Sequence, residues 1–380
     1  PCILVTHDLT PSDTAQMNKQ MVKGIVTEVG GYSSHTAIIA RAMELPAVLG
    51  IDNVTDIIEN DTKLVIDGET GDVIRNPNEE QISKANEKIA KLLEMKKLLE
   101  VYKDKDSVTK DGHKVELFAN IGGVGELESV INNTAEGIGL FRTEFLYMDS
   151  NQLPTEEEQF ASYKEVAEKM NGKAVIIRTL DVGGDKDIPY LGLEKEDNPF
   201  LGYRAIRLCL HEDEILKTQV RALLRASAFG NIKIMIPMIT GVDELRKSKA
   251  IIEEMKKELD NENVSYDKNI EVGIMVETPA ASLISDILAE ECDFFSIGTN
   301  DLTQYTMAVD RGNPKVSYLY SSFNPAVIRS IHTVIKNAKK AGIKACMCGE
   351  AAGDKLMVPF LLACGLDEFS MTASSILGVR

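Results

Sequence analysis

Eight short apolar runs, separated by longer stretches of helical character, recur from residue 112 to the end of the chain. The runs are Val115–Ile121, Gly139–Arg142, Ala174–Leu180, Ile232–Met238, Val272–Glu277, Phe294–Gly298, Ile343–Cys348 and Glu368–Met371. Strands that alternate with helices form parallel sheets, and eight such units predict a (β/α)8 barrel. Because only nine residues follow Met371, the pattern predicts no final helix after the eighth strand.

The first 77 residues have a different pattern, in which short strand-like pieces surround a glycine-rich loop and a helix. Residues 78–111 are rich in Lys, Glu and Leu and predict one long helix from Glu79 to Tyr102, with apolar residues at heptad spacing. A chain of 380 residues is also too long for one ordinary core. We therefore predict an α/β protein with a small α/β domain over residues 1–77, a helical linker over residues 78–111 and a barrel domain over residues 112–380.

Charge and composition argue against several classes of function. The net charge of −17 disfavours nucleic acid or an anionic membrane as the main partner. No apolar run approaches the ~20 residues that span a bilayer, and the start of the chain has no basic and apolar leader. The six cysteines show neither CxxC pairs nor the density of a disulfide scaffold. We expect a cytoplasmic protein without a membrane partner.

A glycine pair at Gly30 and Gly31, followed by Ser33 and Ser34, predicts a tight loop that leads into a helix. His35 would then lie in the first turn, beside backbone N–H groups that attract anions. An imidazole in that position could accept a phosphoryl group. An isolated histidine there more often only helps to cap the helix, so this hypothesis needs support from the rest of the chain.

That support comes from polar residues at the C-terminal ends of the apolar runs, which converge on one face of a barrel. They are Arg142, Arg178, Glu277, Asn300, Asp301 and Cys348. Each has an ordinary explanation, since an arginine at a strand end often makes a surface ion pair and a buried cysteine often only fills space. Six residues at corresponding positions favour an active site.

The chemistry of this set is coherent. Glu277 and Asp301 supply the hard oxygen ligands that suit Mg²⁺. The guanidinium groups of Arg142 and Arg178 match phosphate and carboxylate oxygens. Cys348 carries a proton that it could donate to a carbanion-like carbon. The sequence therefore predicts a pocket for a phosphorylated acid.

Several long motifs carry a resemblance to a known family. They are GGYSSHTA at residues 30–37, GIGLFRTEFL at 137–146, PTEEEQF at 154–160, NPFLGYRAIR at 198–207, SIGTNDLTQYT at 296–306 and CGE at 348–350. In this order they resemble the phosphoenolpyruvate–protein phosphotransferases, the enzymes I of the bacterial sugar phosphotransferase system. The resemblance covers essentially the whole chain.

The resemblance implies roles for individual residues. His35 corresponds to the histidine that becomes phosphorylated, and Cys348 to the acid that protonates the enolate of pyruvate. The other correspondences are Arg142, Arg178, Asn300, Asp301 and Arg311 as contacts of phosphoenolpyruvate (PEP), and Glu277 and Asp301 as Mg²⁺ ligands. It also implies a small histidine-containing carrier protein as phosphoryl acceptor, a first step of PEP-dependent sugar uptake, and a homodimer formed through the barrel.

Two departures from the family and two other hypotheses stay open. The carrier-docking helical subdomain and the C-terminal helices of the family are expected to be missing, which puts phosphorylation of the carrier in question. A PEP synthase or pyruvate phosphate dikinase would share the histidine and barrel but would need an ATP-binding domain, for which these residues leave no room. A non-catalytic regulator that binds PEP is the remaining alternative.

Overall fold

The structure is a computed structural model of the 380-residue chain. It describes residues 1–9, 17, 21–30, 36, 40, 43, 45–148, 150–184, 188–313 and 315–380. By its internal contacts the chain divides into two units, Pro1–Lys103 and Asp104–Arg380.

The first unit contains a three-stranded parallel sheet and a hairpin. The strands are β1 (Cys2–Thr6), β2 (Val22–Thr27), β3 (Ala47–Val48), β4 (Leu64–Asp67) and β5 (Asp72–Arg75). In the sheet β2 lies between β1 and β3, while β4 and β5 pair antiparallel as a hairpin. A short helix, α1 (Val54–Ile57), follows β3. His35 and most of its motif lie outside the described residues.

The predicted long helix, α2, extends from Glu79 to Leu99 and is continued by a 3-10 turn at Glu100–Tyr102. The side chain of Asn78 accepts a hydrogen bond from the Gln81 backbone N–H, and the Asn78 backbone N–H donates one to the Gln81 side-chain oxygen. This capping box explains why the helix begins there. None of its residues is buried within the first unit, so the apolar heptad positions are solvent-accessible there.

The second unit is a closed barrel of eight parallel strands, as the sequence predicted. The strands are β6 (Glu116–Ile121), β7 (Ile138–Arg142), β8 (Val175–Arg178), β9 (Ile232–Ile236), β10 (Val272–Val276), β11 (Phe294–Ile297), β12 (Lys344–Met347) and β13 (Glu368–Thr372). Each pairs with its neighbours in chain order, and β13 closes the barrel against β6. The (β/α)8 prediction is confirmed.

Helices follow the strands along the chain. They are α3 (Leu127–Asn132), α4 (Glu144–Met148), α5 (Glu156–Lys169), α6 (Ile206–His211), α7 (Asp213–Ser227), α8 (Val242–Asn261), α9 (Pro279–Leu283), α10 (Ser285–Leu288), α11 (Thr299–Met307), α12 (Pro325–Ala341), α13 (Val358–Cys364) and α14 (Ile376–Val379). Among the described residues, no helix is both long and apolar enough to cross a bilayer.

The end of the chain differs from expectation, because α14 is a short helix after the last strand. Arg380, which follows it, donates hydrogen bonds to the Thr134 hydroxyl at 2.6 Å and to the Ser107 hydroxyl at 3.1 Å. These contacts tie the end of the chain to loops next to β6 and β7. The prediction that no helix follows the eighth strand is therefore wrong.

Alternate residues of each strand face inward and outward. The outward side chains join the large core between strands and helices, whereas Leu140, Ile176, Met235, Met275, Phe294 and Cys348 form a separate apolar cluster inside the barrel. This small interior layer lies below the polar residues that follow the strands.

The barrel interior also holds a buried carboxyl group, Glu368 on β13, which is 3% exposed. One of its oxygens, Oε1, is buried and has no hydrogen-bond partner among the described residues. Burial, reinforced by the charge of Glu116, raises the pKa of Glu368 to about 8, against the opposing charges of Lys344 and Lys233. Glu368 is therefore protonated in the folded protein at neutral pH.

This shift predicts a pH dependence of stability. The folded state holds the Glu368 proton up to about pH 8, whereas the unfolded chain releases it near its ordinary value of 4.5. The contribution of Glu368 to the free energy of unfolding is therefore largest below pH 4.5. Between pH 4.5 and about pH 8 this contribution falls by up to about 1.4 kcal/mol per pH unit. In Glu368→Gln the free energy of unfolding, measured by urea denaturation from pH 5 to 8, should decline less steeply than in the wild type. The exposed Glu128→Gln serves as control, and equal slopes in wild type and Glu368→Gln would contradict the assignment.

Candidate active site

Two arginines end neighbouring strands at the C-terminal face of the barrel. Arg142 on β7 and Arg178 on β8 are register partners. Arg178 is buried and makes ion pairs with Glu144 at 2.6 Å and Asp181 at 2.9 Å. Burial works to lower the pKa of Arg178, but the charges of Glu144 and Asp181 outweigh burial and raise it. Arg178 is therefore a fixed, permanently charged group.

Arg204 is a second buried cation, 2% exposed, and the sequence did not identify it as a site residue. Its guanidinium group lies 2.8 Å from Asp181 and 3.4 Å from Asp301, and it donates a hydrogen bond to the Tyr305 hydroxyl at 3.0 Å. The loop that carries it passes close to Gly183, where an added Cβ would lie 2.5 Å from the Arg204 Cβ. Gly183 also has a φ of 102°, so both space and backbone conformation favour glycine there.

The Nε atoms of all three arginines are buried and lack hydrogen-bond partners among the described residues: Arg142, Arg178 and Arg204. Buried N–H donors are nearly always paired. Three unpaired donors near one end of the barrel indicate a site that takes an anion.

Two carboxylates face these cations. Glu277 directly follows β10, is 2% exposed and accepts a hydrogen bond from the Met238 backbone N–H at 2.7 Å. Asp301 lies in the first turn of α11, where the helix end favours negative charge. Burial, together with the negative charges of Asp301 and Asp181, raises the pKa of Glu277 to about 8. The carboxylates thus repel one another, and a cation between them would relieve that repulsion.

Asn300 and Arg311 adjoin this group. Arg311 lies 3.3 Å from Asp301, and its backbone N–H donates to the Gln304 side chain at 3.1 Å. The side-chain oxygen of Asn300 accepts a hydrogen bond from the Glu350 backbone at 3.2 Å. This bond leaves the amide NH₂ group of Asn300 as its available donor.

Cys348 directly follows β12 and is buried, and several backbone contacts fix its position. Its N–H donates to the Ile297 carbonyl at 3.2 Å, and its own carbonyl accepts from the Asn120 amide at 2.9 Å. At Gly349 an added Cβ would lie 2.5 Å from the Thr299 backbone nitrogen, so only glycine permits this close approach. Burial raises the pKa of the Cys348 thiol to about 11, so it carries its proton at neutral pH.

The described residues contain no group of three or more His, Cys, Asp or Glu side chains placed to hold a metal ion. Glu277 and Asp301 are two oxygen donors in a region crowded with negative charge. This pair fits Mg²⁺ better than a metal that needs a full protein cage, because Mg²⁺ keeps several waters and accepts substrate oxygens.

The structure brings together most of the residues singled out from sequence. Arg142, Arg178, Glu277, Asn300, Asp301, Arg311 and Cys348 all lie at or just beyond the C-terminal ends of barrel strands or in the loops that follow. His35 lies outside the described residues. Sequence reasoning missed Glu144, Asp181 and Arg204. Glu144 and Asp181 lie just after the ends of β7 and β8, where polar site residues are expected, so this rule could have identified them. Arg204 lies in a long loop, away from the end of a strand.

Family models and curated relatives match the sequence of this chain. Residues 96–380 match the family model for the PEP-binding domain of PEP-utilising enzymes, and residues 1–71 match the model for their mobile domain. The chain is 54% identical over 378 residues to the phosphoenolpyruvate-protein phosphotransferase of Staphylococcus carnosus (strain TM300), and 54% identical over 382 residues to that of Bacillus subtilis (strain 168). Each match covers 100% of this chain and 66% of the relative, so the chain spans slightly less than two thirds of their length.

Among solved structures, a solution structure of enzyme I is 48% identical over 23% of this chain and 35% of its own, with a TM-score of 0.22. The family assignment comes from the sequence matches. These matches cover both units, and one of them includes every predicted site residue of the barrel. The chain therefore belongs to the family of phosphoenolpyruvate-utilising enzymes.

Proposed function

We propose that the chain transfers a phosphoryl group from PEP to His35 and from there to a small histidine-containing carrier protein, as the first step of PEP-dependent sugar uptake. The observation that carries this proposal is the buried cluster of Arg178, Arg204, Glu277 and Asp301 beside a protonated Cys348. The relatives are named phosphoenolpyruvate-protein phosphotransferases. Because this name gives a protein as the phosphoryl acceptor, it supports the second transfer.

PEP carries a phosphate and a carboxylate, and the cluster offers donors for both. The unpaired Nε groups of Arg142 and Arg178 lie on neighbouring strands and suit the phosphate oxygens. The NH₂ group of Asn300 and the guanidinium of Arg311 supply further donors at the same end of the barrel. Since ion pairs hold Arg178 and Arg311, and a hydrogen bond holds Asn300, before substrate arrives, little reorganisation of these three groups accompanies binding.

Glu277 and Asp301 would hold Mg²⁺, with water and substrate oxygens completing its coordination. When bound, the ion supplies a Lewis acid that stabilises negative charge on a substrate oxygen. The raised pKa of Glu277 supports this assignment, because its causes include the neighbouring negative charges that a cation would neutralise.

The reaction divides between His35 and Cys348. The Nε2 atom of His35 attacks phosphorus as the bond from phosphorus to the enol oxygen breaks, and that oxygen keeps the electron pair. Arg142 and Arg178 stabilise the charge on the phosphoryl oxygens. The resulting enolate then takes the proton of Cys348 at its C3 carbon and becomes pyruvate. The proposal also includes a cytoplasmic location and a homodimer formed through the barrel.

The test is to incubate the protein with Mg²⁺ and PEP labelled in the phosphoryl group. We expect an acid-labile label on the wild type and on the control His332→Ala, an exposed histidine of α12, and none on His35→Ala. Chelation of Mg²⁺ should abolish labelling. An undiminished label in His35→Ala would reject the assignment, and ATP-driven labelling of His35 would indicate a dikinase or synthase instead.

A further inference from the structure

One buried hydroxyl group near the site has no role in the chemistry described so far. Ser296 lies on β11 with its side chain inside the barrel and is 1% exposed. By distance and angle, no group in the described part of the chain completes a hydrogen bond with its oxygen. Buried hydroxyls are ordinarily paired, so an unpaired one at this place calls for an explanation.

The Cys348 thiol is the neighbour of this hydroxyl, just after the adjacent strand β12. Ser296 is the register partner of Cys346 on β12, and Cys348 lies two residues further on, just after the end of β12, with its side chain also inside the barrel. The Cys348 sulfur lies 3.9 Å from the Ile297 carbonyl, the acceptor for the thiol hydrogen. Burial raises the pKa of the Cys348 thiol, and the Ser296 hydroxyl acts in the opposite direction. Both side chains thus point into the barrel at neighbouring positions of adjacent strands, where the hydroxyl can favour the charged form of the sulfur.

We propose that Ser296 is a positioning residue for Cys348, whose hydroxyl stays unpaired while the thiol carries its proton and donates a hydrogen bond to the sulfur once that proton has left. This inference rests on the proposed function, in which Cys348 protonates the enolate. In that step the S–H bond breaks, its electron pair stays on sulfur as a thiolate, and a C–H bond forms at C3 from the enolate electrons. Solvent later returns a proton to the thiolate.

The charged groups around the sulfur show why a neutral donor is useful there. Arg178 on β8 favours the thiolate, whereas Glu277 after β10 disfavours it, and Glu368 on β13 does so only when it is ionised. A further cation would bind the substrate's own anionic groups or disturb the Mg²⁺ site. A hydroxyl donor stabilises the thiolate without changing the net charge of the pocket.

The test variant is Ser296→Ala, examined in a background in which Cys2 and Cys364, the exposed and half-buried thiols, are replaced by serine. Alkylation of Cys348 by iodoacetamide, followed by mass spectrometry at fixed pH below 11, should slow about tenfold because a hydrogen bond to a charged group is lost. Single-turnover pyruvate formation should slow as well, while phosphorylation of His35 is unaffected. The urea midpoint should stay equal or rise, because the variant removes a buried hydroxyl that has no partner.

Two further variants separate this role from a structural one. Ser162 on α5 also has a buried hydroxyl oxygen without a partner, so Ser162→Ala should match the change in urea midpoint and leave Cys348 alkylation unchanged. Ser296→Thr restores a hydroxyl and should recover much of the alkylation rate. Unchanged alkylation in Ser296→Ala overturns the proposal, and so does a loss that is accompanied by a lower midpoint.

The alkylation measurement needs neither PEP nor His35. If Cys348 is alkylated faster in the wild type than in Ser296→Ala, but PEP never labels His35, then the proposed function fails and the link between Ser296 and Cys348 stands. If labelling occurs and alkylation is identical in both proteins, then the proposed function stands and the role of Ser296 is rejected.

Discussion

Replacing Cys348 by alanine should separate the two halves of the proposed reaction. Transfer of the phosphoryl group to His35 in the first turnover should keep its wild-type rate, because the arginines and carboxylates that hold PEP are unchanged. Pyruvate formation should slow by about 10²–10⁴-fold, the usual contribution of a positioned general acid. The reason is that the thiol, whose pKa is raised to about 11, is the protonated group next to the enolate, and solvent would have to replace it.

Rapid quenching of one turnover gives both quantities, as acid-labile phosphate on the protein and as pyruvate in solution. Cys346→Ala is the matched control, because Cys346 lies on β12, two residues before Cys348, and is also buried. It should leave both rates unchanged. If Cys348→Ala formed pyruvate as fast as the wild type, another group would have to supply the proton.

The sequence predicted the barrel because its eight strands are short and apolar and because turns and helices separate them clearly. Predicted and observed ends differ by only one or two residues, as for Val272–Glu277 against Val272–Val276. The short helix Ile376–Val379 escaped prediction, since four residues carry no periodic signal.

The site was predictable wherever strand order alone places a residue. Parallel strands bring Arg142, Arg178 and Glu277 to one end of the barrel whatever the details of packing. Which charged side chains pair with one another was not predictable. It depends on where the loop of more than 20 residues after β8 returns to the end of the barrel. Arg204 reaches Asp181 and Asp301 only through that return, and no local pattern in the sequence encodes it.

Arg204→Met should destabilise the barrel strongly. It removes a buried cation and leaves the carboxylates of Asp181 and Asp301 with a smaller positive charge nearby. Breaking a buried ion pair by deleting one partner costs about 3–5 kcal/mol, since the remaining charge stays buried. We expect a loss of that size in the barrel's unfolding transition, measured by urea denaturation without Mg²⁺, together with loss of His35 labelling by PEP.

Arg221→Met is the matched control. Arg221 on α7 contacts three carboxylates, those of Glu156, Glu258 and Glu262, at 2.8–2.9 Å, but its side chain is 18% exposed and two of these partners are about half exposed. Water and salt screen such a network, so its loss should cost only about 1 kcal/mol. Mg²⁺ should restore part of the stability of Arg204→Met, because a cation held by Glu277 and Asp301 reduces the repulsion that the variant exposes. Equal losses in the two variants would show that the number of ion pairs, and not their burial, determines the stability of this face of the barrel.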